Sequence, residues 1–174
     1  NKIANKIAYG LKNKGIEKGD VVGIYMENRP ETLLVVLACA KIGAISAMLN
    51  THKTKSSLMQ TIKLVSPRLL ILGEELLQPI LDVESELITI ESIMYVPDGP
   101  IHQNSTVTHI SDNLMKSIDI PIFAIDQLMH SQPETNMDSS KKIYLHDPLF
   151  YVFTSGTSGM PKAGIFTHGR WMKL

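Results

Sequence analysis

Apolar residues in the first half of the chain alternate between helical spacing and short unbroken runs. Ile3, Ala4, Ile7, Ala8 and Leu11 share one helical face, so Asn1 to Gly15 reads as a helix already under way at the first residue. Gly15 supplies its stop, and Lys18-Gly19-Asp20 turns the chain into the apolar run Val21 to Met26, a buried strand. Asn28 is the expected cap of a second helix, with Pro30 in its first turn and Leu33, Leu34, Leu37, Cys39, Ala40 and Lys41 carrying it to Gly43. Ala44 to Leu49 follows as a strand, Ser57 to Val65 as a helix and Arg68 to Leu72 as a further strand, with Leu76 to Leu81 continuing the alternation. Strand, helix and strand on such short links predict right-handed βαβ units. The expected fold class is therefore α/β, alternating βα units on a mainly parallel sheet.

From Pro97 to Asp147 the pattern gives way to a polar, proline-interrupted stretch, an insertion-like region in which only Ile120 to Ile125 reads as a strand and Asp126 to His130 as a short helix. Order returns at Asp147-Pro148. Leu149 to Phe153 is a strand running straight into a glycine- and hydroxyl-rich loop, and Ala163 to Thr167 is the strand leaving it. Trp171 to Leu174 reads as the first turn of a helix without a stop, and Asn1 as a residue inside one. The expectation is a single partial domain over residues 1–174, with sequence missing at both ends.

Composition narrows the partners by exclusion. At 174 residues and 44% hydrophobic, the chain is large and apolar enough to bury a core without disulfides. Lys plus Arg equals Asp plus Glu at 17 each, so overall charge points to neither nucleic acid nor an acidic membrane. The longest apolar stretch, Leu33 to Ala40, falls far short of the roughly 20 residues of a membrane-spanning helix. The one cysteine, Cys39, lies inside that stretch and reads as a reduced, packed side chain, which fits a reducing, cytoplasmic compartment. The six histidines show no metal-ligand spacing, His168 is assigned to packing, and the carboxylate pairs Glu74-Glu75 and Glu84, Glu86 read as a solvated face.

The chemistry concentrates in Thr154-Ser155-Gly156-Thr157-Ser158-Gly159-Met160-Pro161-Lys162. Gly156 and Gly159 permit backbone conformations that turn successive N–H groups inward around an anion. Thr154, Ser155, Thr157 and Ser158 add four hydroxyl donors, and Lys162 adds a full positive charge on a flexible stem. Such a set suits a polyphosphate. A plain Gly/Ser/Thr linker would not be clamped between two apolar strands or end in Pro-Lys. A Walker-type loop is excluded by spacing, since Pro161 stands where its second glycine belongs and Ala163 replaces the hydroxyl that would hold magnesium.

The same nine residues resemble the Thr-Ser-Gly-Thr-Thr-Gly-x-Pro-Lys signature of the adenylate-forming superfamily, with Ser158 in place of the commoner Thr. The segments Lys18 to Glu31, Ala40 to Ala44 and Leu49-Asn50-Thr51 resemble the family's first βα unit. Within the superfamily, Glu27 to Glu31, Leu49-Asn50-Thr51 and Ala163 to Trp171 look most like its fatty-acid transport protein and very-long-chain acyl-CoA synthetase branch. The resemblance implies ATP-dependent activation of a carboxylic acid, a long-chain fatty acid in that branch, to acyl-AMP and then to acyl-CoA, with Mg2+ and coenzyme A. It further implies that Thr154, Ser155, Gly156, Thr157, Ser158, Gly159 and Lys162 hold the ATP phosphates, that Lys162 is an electrostatic catalyst, and that Thr154 contacts the magnesium. Its partners would be small molecules, with peripheral membrane contact by the complete protein. A non-catalytic homologue that binds nucleotide or acyl groups is the alternative, as is a ligase for a non-fatty acid. By itself the fragment is expected to be inactive.

Overall fold

The computed structural model describes residues 1–53, 55–99, 118–138, 143–155 and 161–173. Within them the chain forms β1 (Val21–Tyr25), β2 (Ile45–Met48), β3 (Leu69–Gly73), β4 (Ser92–Val96), β5 (Ile122–Ala124), β6 (Pro148–Ser155) and β7 (Pro161–Thr167). The helices are α1 (Lys2–Asn13), α2 (Pro30–Ile42), α3 (Lys55–Val65), α4 (Leu77–Leu81), α5 (Ile125–Met129) and α6 (His168–Trp171). The seven strands make one sheet in the order β5-β4-β3-β1-β2-β6-β7. Every neighbouring pair is parallel except β6 with β7, which is antiparallel.

Strand alternation sorts the apolar side chains into two cores. Val22, Ile24, Leu69, Ile71, Met94 and Val96 face Ile7 and Leu11 of α1, Val35 and Cys39 of α2, and Leu128 of α5. Their neighbours Tyr25, Leu70, Leu72, Ile93 and Tyr95 face Leu58 and Ile62 of α3 and Ile80 of α4. A side-chain period of two places successive residues on opposite faces, so a run apolar at every position is what a sheet covered on both sides requires.

Most elements lie where the apolar pattern puts them, although the helix expected to begin at Trp171 is instead α6, which begins at His168 and ends at Trp171, and three further differences stand out. The cap of α2 is Arg29, in an extended conformation and without a side-chain capping bond, and not Asn28. Proline keeps the residue before it out of the helical region, so Pro30 at the first helical position fixes the boundary at Arg29. At the other end of α2, Gly43 closes the helix at φ 74°, a left-handed conformation that favours glycine. The second difference is β4, which the sequence reading leaves unassigned although Ile93 to Val96 are all buried. The third is Pro161-Lys162, expected in the loop but found in β7, where they pair with Ser155 and Thr154. Antiparallel pairing zips the loop from both ends, and the first position of a strand is one where proline is tolerated.

In the insertion-like region, the expected strand and short helix are β5 and α5. The segment that follows lies along α1, where Asn5 Nδ2 donates to the Glu134 carbonyl at 2.6 Å, while Lys2 and Lys6 pair with the Glu134 carboxylate at 3.1 and 3.2 Å. Cys39 is buried and free, and burial pushes its thiol up to about 12, so it packs as an inert side chain. None of the described helices is long and apolar enough to cross a membrane.

Candidate functional site

In open parallel sheets, ligands gather beyond the carboxyl ends of the strands, at the point where the winding reverses. Here the chain runs from β1 to β2 and then crosses back to β3 on the other side of β1, so that point lies between β1 and β3. It is spanned by Arg29. The guanidinium donates to the carbonyls of Val96 and Pro97, each at 3.1 Å, and pairs with Asp98 at 3.3 Å and Glu75 at 3.8 Å. Glu75 in turn accepts from the Glu27 backbone N–H at 2.6 Å, and Glu74 from that of Asp98 at 2.8 Å. These carboxylates are tied to backbone and to Arg29, which leaves them poorly placed for proton transfer.

The hydroxyl-rich motif sits further along the same edge, at the tip of the β6–β7 hairpin. Thr154 is paired with Lys162 and Ser155 with Pro161. Residues paired across antiparallel strands project to the same face, so the Thr154 hydroxyl and the Lys162 ammonium, both exposed, stand side by side where the strands open. The structure thus brings together the first hydroxyl and the only ammonium of the motif. Gly156, Thr157, Ser158 and Gly159 lie outside the described residues, as does Met160.

What holds the tip in place lies mostly at the opposite end of the hairpin. Next to the sheet, β6 pairs with β2 only through Phe150–Val152 against Ser46–Met48. The Phe150 and Phe166 rings stack at 4.7 Å between centroids, Trp171 of α6 meets Phe150 edge-on at 5.8 Å, and the Arg170 guanidinium lies 4.8 Å over Phe166. At the base, Lys18 Nζ pairs with Asp147 Oδ2 at 2.6 Å and the Tyr144 N–H donates to the same carboxylate at 2.7 Å. These two donors, Lys18 first, hold the Asp147 carboxyl below the usual carboxylate range. His168 opens α6, and its N–H donates to the Asp147 carbonyl at 3.1 Å. Its Nε2 is buried without a hydrogen-bond partner among the described residues, and burial lowers the imidazole's affinity for a proton. Gly169 approaches so closely that its N–H donates to the Leu145 carbonyl at 2.7 Å, and a Cβ there would lie 2.9 Å from that oxygen.

Sequence reasoning passed over two features of this region. The Lys18–Asp147 clasp joins residues 129 positions apart, and nothing local in either segment announces it. The turn after β2 carries His52, Lys53 and Lys55, and its signal was present in the mixture of bases and hydroxyls from Thr51 to Ser57.

A model for AMP-binding enzymes matches residues 1–174, and the chain belongs to that family. Among curated relatives, the medium/long-chain-fatty-acid–CoA ligase FadD6 of Mycobacterium tuberculosis is 33% identical over 173 residues, covering 99% of this chain and 25% of the relative. Human long-chain fatty acid transport protein 1 is 30% identical over 174 residues, covering 98% of this chain and 24% of the relative. The chain thus spans about a quarter of the length of these relatives. The anthranilate CoA ligase AuaEII, solved with anthranoyl-AMP, shares the fold with a TM-score of 0.76 at 22% identity, over 96% of this chain and 28% of that one.

Proposed function

We propose that this chain supplies the phosphate-gripping edge of an ATP-dependent ligase that converts a medium- or long-chain fatty acid to its acyl-CoA. The observation that carries the reading is the pairing of Thr154 with Lys162, which sets a hydroxyl and an ammonium abreast at the mouth of the motif. The match to the AMP-binding family supports it, as does the likeness to a fatty-acid–CoA ligase.

In the first step a carboxylate oxygen of the acid forms a bond to the α-phosphorus of ATP, and the bond from that phosphorus to the bridging oxygen breaks, releasing pyrophosphate. The coenzyme A thiol then attacks the acyl carbon of acyl-AMP, losing its proton, and AMP leaves. Negative charge moves onto the departing pyrophosphate in the first step, and Lys162 offers an ammonium to meet it. Ser155, Gly156, Thr157, Ser158 and Gly159 complete the cradle in this reading through their N–H groups and hydroxyls. A bound Mg2+ would neutralise phosphate charge, and the Thr154 hydroxyl is the group that would hold it. Among the described residues no group of three or more His, Cys, Asp or Glu is placed to bind a metal. The setting we infer is cytoplasmic, with peripheral membrane contact, on the strength of the fatty acid transport protein relatives.

ATP–pyrophosphate exchange by the full polypeptide, run with acids of increasing chain length, tests the proposal. Exchange that rises with chain length is the expected result. No exchange with any acid would favour the non-catalytic homologue, and exchange with short or aromatic acids alone would replace the fatty acid by another carboxylate.

A further inference from the structure

The charge along the carboxyl edge of the sheet is segregated. Glu27, Glu74, Glu75 and Asp98 cluster around Arg29 beyond β1, β3 and β4, whereas the sequence holds no acidic residue between Glu31 and Glu74. Inside that acid-free stretch, the turn after β2 and the start of α3 bring His52, Lys53 and Lys55 together with Thr51, Ser56 and Ser57. Met48 is the register partner of Val152, and extending that register by two residues sets Asn50 level with Thr154. The turn therefore follows directly on the strand that borders β6, just beyond the last paired residues, Met48 and Val152. On the far side, Phe153 of β6 packs against the core that holds Leu49 and Leu58, which brings the first turn of α3 beside the hairpin.

The turn has a fixed backbone. The His52 N–H donates to Asn50 Oδ1 at 2.9 Å, the Lys53 N–H to the Asn50 carbonyl at 3.0 Å, and the buried Tyr25 hydroxyl to the Lys53 carbonyl at 2.8 Å. Lys53 Nζ donates to Thr61 Oγ1 at 3.4 Å, while His52 and Lys55 are exposed. A triphosphate carries several negative charges and the motif one ammonium, so further basic side chains on the adjoining turn would add to the attraction for phosphate. We propose that His52, Lys53 and Lys55 form a second anion subsite beside the hairpin, taking a phosphate or pyrophosphate group. The inference rests on the ligase reading, which offers two sources for that group, the pyrophosphate leaving the hairpin and the phosphates of the thiol cosubstrate.

The test is the double variant His52→Ala/Lys55→Ala in the full polypeptide, with Lys162→Ala alongside and circular dichroism to confirm folding. Inorganic pyrophosphate is the probe in the exchange half-reaction, and coenzyme A in the complete reaction. Exposed charges of this kind each change affinity about three- to fivefold, so the pair is expected to raise one of the two KM values about tenfold, with kcat held and the difference shrinking in high salt. A higher KM for pyrophosphate assigns the subsite to the leaving group, and a higher KM for coenzyme A assigns it to the cosubstrate. Restoring charge with His52→Lys/Lys55→Arg should recover most of the loss. Both KM values unchanged while Lys162→Ala is impaired would overturn this inference and leave the ligase reading standing. Loss of effect in both variants would instead remove the hairpin reading beneath it.

Discussion

The two ends of the sheet obey different rules. From β5 to β1 every strand is parallel, both faces are covered, and Leu69 to Leu72 have no exposure at all. In the β6–β7 hairpin the strands are antiparallel, Val152 is 44% and Ile165 58% exposed on opposite faces, and the exposed pair toward the tip is Thr154 with Lys162. One end is built to be stable. The other is an edge whose value lies in what it presents, and its fixed points are a ring stack, a clasp at Asp147 and a close approach at Gly169. The comparison teaches that here the cost of presenting polar groups is confined to the hairpin, outside the stretch where the core is continuous.

Truncation should separate the two ends sharply. Ile71→Ala removes a fully buried side chain from the centre of the sheet, and such deletions cost about 2–5 kcal/mol, to be read as a lower urea midpoint at unchanged slope. If that variant unfolded at the wild-type midpoint, the claim that the parallel half carries the stability would fail. Lys162→Ala should do the converse. Its side chain is exposed, so the midpoint should stay within about 0.5 kcal/mol of wild type. Adenylation by the full polypeptide should slow about 10²-fold, the loss of one oxyanion-type contact. An unchanged rate would remove Lys162 from the mechanism. Gly169→Ala tests the hairpin's attachment at a smaller scale. Its Cβ would press on the Leu145 carbonyl, and overpacking of this kind costs about 1–3 kcal/mol, again measured by urea.

The same division explains what the sequence allowed to be read. Periodicity is strong where burial is complete, so Val21 to Tyr25 and Leu69 to Gly73 announce themselves as strands. Ser92 to Val96 is as deeply buried, yet it follows a stretch of single-turn helices whose irregular spacing hides its start. The motif was legible because its composition is so unusual, but its division between strand and loop was not. Thr154, Ser155, Pro161 and Lys162 become strand residues through pairing across the hairpin, a long-range condition that no local propensity encodes. Helix α2 shows the reverse difficulty. It is apolar on nearly every side, so the residues that look like its core include Leu33, 53% exposed, and Leu37, 38% exposed, while Glu31 and Thr32 are buried.

The smallest effect expected is a pH dependence confined to the base of the hairpin, and its sign follows from two depressed proton affinities. Asp147 is held ionised by Lys18 and by the Tyr144 N–H, so its contribution to stability is present above the ordinary carboxylate pKa, about 4, and is lost as pH falls through the lower folded value. Partial burial lowers the proton affinity of His168, with Asp147 pulling it back up and Lys18 lowering it further. The unfolded imidazole takes up its proton below about pH 6.5, so here too the folded state loses ground on acidification, but earlier. Unfolding midpoints measured from pH 8 to 3 should therefore fall in two stages. His168→Gln should flatten the first, between about pH 7 and 5, and Asp147→Asn the second, below about pH 4. If His168→Gln left the first stage in place, the half-buried imidazole at the start of α6 would have no part in fastening the hairpin to the sheet.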